Sequence, residues 1–439
     1  MRLLAFARCK SFWLLDSING GRIKTAYDEI KKIDELDSDN PFINTYQSQA
    51  WEKLKIMACS KTKAYAPYSD SDFMQFPVIS KQDIRQAQDD YLSSDFSKDS
   101  LIQMATSGST GTPFICYQNG LKKRRVNAEI IYYSEKAGYR LGDNLSYIRT
   151  IVKQNKKPVL KQYMQNQTLI QCGKLSDSGV ESLIEILQRQ SRKGSITLLA
   201  YGSTYTAVKD YCVKRGIKRI DKCNIVGAIS GSDMLFDETR EVVGKVFGNI
   251  PVVSRYSNEE NGVLGQDEGI NNVFSINEAN YIIEILDDEG VPCPEGVIGR
   301  IVVTDLFNYA MPMIRYDTGD MGAIKLFDVG GRKKKCICQF SGRRVDVIFD
   351  EQGNALSPYT ITNAMWSFPN VIQFQLIQIE KGEYILKLNV DQYFHQDADI
   401  VHSLKNILGK TSTIHIQKVD EVPVLASGKR RYIVNEWVK

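Results

Sequence analysis

The first hundred residues read as helical, broken by polar loops such as Tyr68-Ser69-Asp70-Ser71-Asp72. The run Phe76-Pro77-Val78-Ile79-Ser80-Lys81-Gln82-Asp83 predicts a turn into a helix, with Ser80 as N-cap and Asp83 near the capping-box position. Farther on, helix and strand patterns alternate. Thr204 to Arg215 predicts a helix closed by Gly216, and Asn224 to Ile229 an apolar strand running into the loop Ser230-Gly231-Ser232-Asp233. Asp237 to Phe247 predicts a helix closed by Gly248, and Pro251 to Ser254 another strand. This order implies an α/β architecture with a mostly parallel sheet. Tyr281 to Leu286 and Arg300 to Thr304 then predict a β-rich layer joined by a Gly, Pro and Asp loop. After Phe340 a small α+β unit follows, which divides the chain into residues 1–340 and 341–439. No internal repeat or low-complexity linker separates them.

At 439 residues the chain is long enough for two or three domains, and its 43% hydrophobic and 25% charged residues are those of an ordinary globular protein. A formal charge of +4, evenly spread, argues against a nucleic-acid partner. The basic runs Lys122-Lys123-Arg124-Arg125 and Arg332-Lys333-Lys334-Lys335 read as a solvated helix face and a hairpin tip. Nine cysteines show no framework, which predicts reduced thiols and a cytoplasmic location. Cys336 and Cys338 fall on one face of a predicted strand, but their spacing and the three distant histidines do not make a structural zinc site. Met1 to Leu15 is apolar but interrupted by Arg2, Arg8 and Lys10, unlike a signal peptide. It predicts an amphipathic helix docked on the protein, or alternatively one lying on a membrane surface. No other stretch approaches the ~20 apolar residues of a membrane span.

The sharpest local chemistry is Thr106-Ser107-Gly108-Ser109-Thr110-Gly111-Thr112-Pro113. Its glycines allow close backbone approach to an anion, and its hydroxyls add donors, so it suits a polyphosphate. Taken alone it is equally a polar surface loop. It is not the P-loop of NTPases, because no Gly-Lys-Ser/Thr follows.

Thr106 to Pro113 resembles the phosphate-binding signature of the adenylate-forming superfamily of acyl-CoA synthetases, adenylation domains and luciferases. Further matches follow in that family's order: Tyr256-Ser257-Asn258-Glu259-Glu260, Arg315-Tyr316-Asp317-Thr318-Gly319-Asp320, Gly342-Arg343 with Asp346, and Ser427-Gly428-Lys429. The length and the Phe76 to Lys81 segment are most similar to the phenylacetate–CoA ligase-like branch, some of whose members are associated with capsular or other surface polysaccharide synthesis. The resemblance implies a large N-terminal α/β domain with a β-rich layer, and a small mobile α+β lid that rotates between two half-reactions. It implies that ATP is cleaved to AMP and pyrophosphate as a small carboxylic acid becomes an acyl-adenylate, then a thioester, with CoA as the expected co-substrate. Ser107, Gly108, Ser109, Thr110 and Gly111 would hold the leaving phosphates. Glu260 would hold Mg²⁺, although Glu259 is the other candidate. Tyr256 would stack on adenine, with Gly231, Ser232 and Asp233 on its other side. Asp320 would accept the ribose hydroxyls, with Arg343 nearby. Lys429 would bridge the carboxylate and the α-phosphate where negative charge develops.

This sequence departs from the pattern at Ser257, Glu259, Phe114 and Val345, which stand where the family has Gly, Thr or Ser, Lys, and Asp. The motifs leave the acceptor open: an amine, a sugar or a carrier protein could replace the thiol. A nucleotide-binding protein without catalysis is the rival of another class. The acid pocket is expected before Tyr256, near Tyr201-Gly202-Ser203. Nothing in the pattern calls for a membrane partner.

Overall fold

The computed structural model describes residues 2–106, 114–149, 158–171, 176–270, 272–343, 348–353, 355–356, 361, 364–365, 367–368, 370–422 and 432–437. The chain folds into two compact units. The first holds residues 1–283, 303–316 and 326–336; the second holds 284–302, 317–325 and 337–439.

The first unit opens with helices α1 (Arg2–Ile18), α2 (Arg22–Asp34), α3 (Pro41–Lys61) and the short α4 (Lys81–Gln86). The capping box at α4 is formed as its sequence predicts: Ser80 Oγ accepts from the Asp83 N–H, and the Asp83 carboxylate accepts from the Ser80 N–H at 2.7 Å. A hairpin of β1 (Ile102–Thr106) and β2 (Phe114–Gln118) comes next, with Thr106 directly opposite Phe114.

The main sheet then builds up. Helix α5 (Gly120–Lys136) leads to β3 (Asn144–Arg149), α6 (Val159–Gln165), β4 (Gln167–Gln171), α7 (Asp177–Ser191), β5 (Ile196–Tyr201) and α8 (Gly202–Lys214). These are followed by β6 (Ile225–Gly231), α9 (Asp237–Val246), β7 (Val252–Asn258), β8 (Gly262–Asp267) and β9 (Phe274–Ile276). Strands β4, β3, β5, β6 and β7 are adjacent in that order and parallel; β8 and β9 add on antiparallel. The sheet order continues through β13 (Arg332–Arg343), β12 (Tyr316–Val329), β11 (Gly299–Asp305) and β10 (Tyr281–Leu286), strands whose residues are divided between the units.

Alternation along the parallel strands sends side chains to opposite faces. Leu198, Ala200, Ala228 and Val252 pack with Leu183, Val208 and Val243 of α7, α8 and α9. Leu199, Ile229 and Val253 instead meet Ala137 at the end of α5. Two strands run farther than the sequence predicts. Strand β6 continues through Ser230 and Gly231, and β7 continues through Tyr256 to Asn258, because pairing with neighbouring strands carries both past the apolar run.

The basic run on α5 is not a solvated face. Lys122 and Arg125 are buried, while Lys123 and Arg124 are half-buried. Lys122 forms an ion pair with Asp305 at 2.7 Å, both side chains fully buried. Arg125 reaches Glu29 at 2.8 Å, donates to the Tyr46 hydroxyl at 2.6 Å and lies over the Phe307 ring. Burying these cations is possible because each charge has a partner. At the second run Gly330 and Gly331 do form a hairpin tip, yet Lys334 turns inward to donate to the Asp34 carbonyl at 2.5 Å.

In the second unit, β14 (Ile348–Phe349) pairs with β15 (Ala355–Leu356). A separate sheet contains β16 (Val371–Glu380), β17 (Glu383–Val390), helix α10 (Asp397–Leu408) crossing to β18 (Thr413–Lys418), and finally β19 (Ile433–Asn435). Its order is β18-β17-β16-β19. Ile400, Leu404 and Leu408, spaced along one face of α10, pack with Phe374, Leu376, Leu386 and Leu388 from the strands. The molecule is thus α/β, with a large sheet-rich domain and a small C-terminal one.

Candidate active site

Three adjacent parallel strands bring the candidate segments together at their carboxyl ends. Tyr201 at the end of β5 is the register partner of Gly231 at the end of β6, and Gly231 pairs with Arg255 on β7, one residue before Tyr256. Strand neighbours lie about 4.8 Å apart, so three sequence segments come together at the carboxyl ends of their strands.

Helix α8 starts immediately after β5. The Asp233 carboxylate accepts from the backbone N–H of Gly202 and, at 3.1 Å, from that of Ser203. An anionic acceptor at a helix N-terminus satisfies otherwise orphaned donors. Glycine is required at position 202, since a Cβ there would overlap the Met234 carbonyl oxygen. Ser232 stands exposed with φ of 73°. The Ser203 and Ser230 hydroxyls are buried and have no hydrogen-bond partner among the described residues. Ser203 stands in the segment where the acid pocket is expected, at the start of α8, whereas nothing in the sequence singles out the Ser230 hydroxyl.

Tyr256 is buried, with its ring tilted against Phe274 at 6.3 Å between centroids. Beside it Arg255 is buried, donates to Gln266 at 3.0 Å and to Ser134 at 3.2 Å, and burial pulls its pKa down to about 10. Glu259 is exposed, whereas Glu260 is buried. The Glu260 Oε1 atom lies 2.6 Å from Lys81 Nζ and accepts from the Tyr316 hydroxyl at 3.1 Å. Both of those partners are held by one backbone arrangement. Arg315 donates to the carbonyls of Met74 and Phe76, at 2.9 and 3.0 Å, while the Ile79 N–H donates to the Arg315 carbonyl at 3.0 Å. Arg315 and Tyr316 therefore act as a brace for the segment that presents Lys81. Lys81 Nζ also lies 5.8 Å from the centroid of Phe114, where the family pattern has lysine. A cation from a different element thus approaches that position. In the sequence, Lys81 is marked only as the last residue of the branch-defining segment, and nothing local points to this role.

Asp320 belongs to the second unit and is half-buried. Around it the start of β12 is tightly bonded: Gly319 N–H donates to Asp317 Oδ1 at 2.8 Å, and Asp320 N–H donates to Thr318 Oγ1 at 3.1 Å. Thr318 Oγ1 in turn donates to the Ile301 carbonyl at 2.9 Å, and Arg300 pairs with Asp317 at 3.2 Å. Arg343 is the last residue of β13. Ser107, Gly108, Ser109, Thr110, Gly111, Asp346 and Lys429 lie outside the described residues. What the fold does show is that β1 and β2 bring Thr106 and Phe114, the two ends of the glycine-rich loop, together.

Among the described residues no cluster of three metal-ligating side chains exists. A single buried carboxylate fits Mg²⁺ only in the way Mg²⁺ ordinarily meets nucleotides, with phosphate oxygens and water completing its shell. Eight described cysteines are free thiols. No described helix is long and apolar enough to cross a membrane.

Comparison with known proteins agrees with this architecture. Residues 348–436 match the family described as the CapK C-terminal domain. Protein CapK of Staphylococcus aureus is 24% identical over 440 residues, covering 94% of this chain and 92% of that protein. A phenylacetate–coenzyme A ligase of Thermus thermophilus is 29% identical over 185 residues, 36% of this chain and 41% of that ligase. The fold is shared with 2-hydroxyisobutyryl-CoA ligase in its postadenylation state, at TM-score 0.66 and 15% identity, covering 95% of this chain and 90% of that one. These likenesses support the adenylate-forming superfamily and, within it, the phenylacetate–CoA ligase-like branch.

Proposed function

We propose that the protein is an AMP-forming ligase that activates a small carboxylic acid as its acyl-adenylate and transfers the acyl group to CoA. The observation that carries this reading is the convergence of Tyr201–Ser203, Gly231–Asp233 and Tyr256–Glu260 at the carboxyl ends of β5, β6 and β7. Ligands of open α/β sheets bind in that position. It is supported by the relatives named phenylacetate–coenzyme A ligase and by the structural neighbour 2-hydroxyisobutyryl-CoA ligase, solved with 2-HIB-AMP and CoA.

In this reading Ser107 to Gly111 hold the phosphates of ATP, and Tyr256 and Gly231 to Asp233 flank adenine. Asp320 receives the ribose hydroxyls with Arg343 nearby. Glu260 is the Mg²⁺ ligand rather than Glu259, since the buried carboxylate is the one fixed in place by Lys81 and Tyr316. Bound Mg²⁺ would offset phosphate charge as pyrophosphate leaves. Lys429, on a lid comprising residues 341–439, stabilises the charge that develops during adenylation. The site would lie in the cytoplasm, where ATP and CoA are available.

A second reading passes the acyl group to an amine, a sugar or a carrier protein. What supports it is that Protein CapK, matched nearly end to end, is not named as a CoA ligase, while the phenylacetate–coenzyme A ligases match only 36–37% of this chain.

The test is a pyrophosphate-release screen across carboxylic acids with Mg·ATP, with and without CoA. AMP and pyrophosphate are the expected products, and thioester appears when CoA is present. Formation of ADP and phosphate would overturn the proposal, because that requires attack at the γ-phosphorus. AMP formation with acyl transfer to an amine, a sugar or a carrier protein but not to CoA would select the second reading.

A further inference from the structure

Helix α1 presents its apolar side to solvent. Ala5, Arg8, Cys9, Phe12, Trp13 and Asp16 are its less exposed positions, spaced at three and four residues, and Trp13 packs edge-on against Tyr27 at 5.7 Å. The opposite stripe contains Leu3, Leu4, Leu14, Leu15 and Ile18, with Leu3 84% and Ile18 72% exposed. A helix apolar on two faces needs two apolar neighbours, and the described residues supply one. Nor is the outward stripe isolated. Arg8 sits 5.5 Å from the Tyr163 ring centroid, which places α6 beside α1. On α6, Val159, Leu160, Tyr163 and Met164 are all exposed, Val159 by 82%. Two helices that meet at Arg8 and Tyr163 thus each expose apolar residues, more than the scattered single exposures normal for a soluble face.

The charges at this surface decide what covers it. The first fifteen residues contain Arg2, Arg8 and Lys10 and no acidic residue. Asp16, the first acid, is buried and accepts from the N–H groups of Ile23 and Lys24 at 3.1 and 2.9 Å, so it is turned away from the stripe. Lys10 is exposed midway along the apolar stripe. Two-fold pairing with a second copy about the middle of that stripe would set Lys10 against its own counterpart, with no acid on the stripe to receive either. Anionic headgroups receive such a cation while acyl chains take the leucines. With 17 residues and a rise of about 1.5 Å each, α1 is long enough to anchor in an interface without crossing it.

We propose that the α1–α6 face is a peripheral docking surface for an anionic lipid membrane. The experiment uses the full chain and sedimentation of vesicles made of phosphatidylcholine alone or with about one third phosphatidylglycerol. Binding to the anionic vesicles is expected to exceed binding to the neutral ones and to weaken as salt is raised. Leu4→Ser with Leu15→Ser, which removes apolar area without adding charge, should lower partitioning about tenfold or more. Leu4→Glu with Leu15→Glu should lower it further, and unchanged melting curves would show both variants folded. Absence of binding to anionic vesicles, or binding insensitive to both double variants, overturns the proposal. Self-association in sedimentation velocity that the same variants abolish, without lipid binding, overturns it in favour of a second copy.

Discussion

Asp233→Ala removes the link between the end of β6 and the start of α8. The carboxylate accepts two backbone N–H bonds there, from Gly202 and Ser203. Charge-assisted bonds contribute about 1.5–3 kcal/mol each when buried, but Asp233 is only half-buried and water can reach the freed amides. Discounting both bonds for that access, with the carboxylate's interaction at a helix N-terminus included, gives about 2–3 kcal/mol for the local structure. Hydrogen exchange resolved to peptides spanning Gly202 and Ser203 should therefore accelerate about 30–150-fold. Asp233→Asn keeps one acceptor oxygen and should lose roughly half of the free energy. The loop that presents Gly231 and Ser232 is released at the same time, so ATP affinity should fall severalfold in the alanine variant and less in the asparagine variant. Unchanged exchange in Asp233→Ala would refute the structural role. Equal loss of ATP affinity in both variants, with exchange preserved in the asparagine variant, would show instead that the charge itself meets the nucleotide.

Lys429→Ala should lose about 10²–10³ in the adenylation half-reaction while a supplied acyl-adenylate is still converted to thioester near the normal rate, measured by single-turnover assays; equal loss in both steps would mean that the lysine is structural. Lys122→Met leaves Asp305 as a buried, unpaired carboxylate and should cost about 3–5 kcal/mol in urea unfolding, and adding Asp305→Leu should recover part of it. Burial raises the pKa of Glu129, against the opposing pull of Lys122, so the folded state holds that proton more tightly than the unfolded state does. Stability should accordingly fall as pH rises from about 4.3, the unfolded value, through the folded pKa, and Glu129→Gln should remove that part of the slope in urea midpoints taken across this range. Parallel curves for the two proteins would contradict it.

Local pattern was enough for the elements whose ends are marked by their own residues. Ser80 with Asp83 starts α4, Gly216 and Gly248 follow α8 and α9, and the strand–helix alternation fixed the fold class. The order of the motifs pointed to the superfamily that the comparisons support, because each motif is a short contiguous stretch. What depended on contacts between distant segments could not be read this way. The charges of Lys122 and Arg125 looked solvated because their partners, Asp305, Glu29 and Tyr46, are far away in the chain. Lys81 and Tyr316 gather on Glu260 only through the brace at Arg315, and no spacing encodes that meeting. Glu259 and Glu260 are equivalent in composition; tertiary burial alone distinguishes them. Period and capping are properties of neighbouring residues, so the sequence by itself determines them. The partner of a buried charge, or the covering of an apolar helix face, is determined only when the sheet has brought distant segments together.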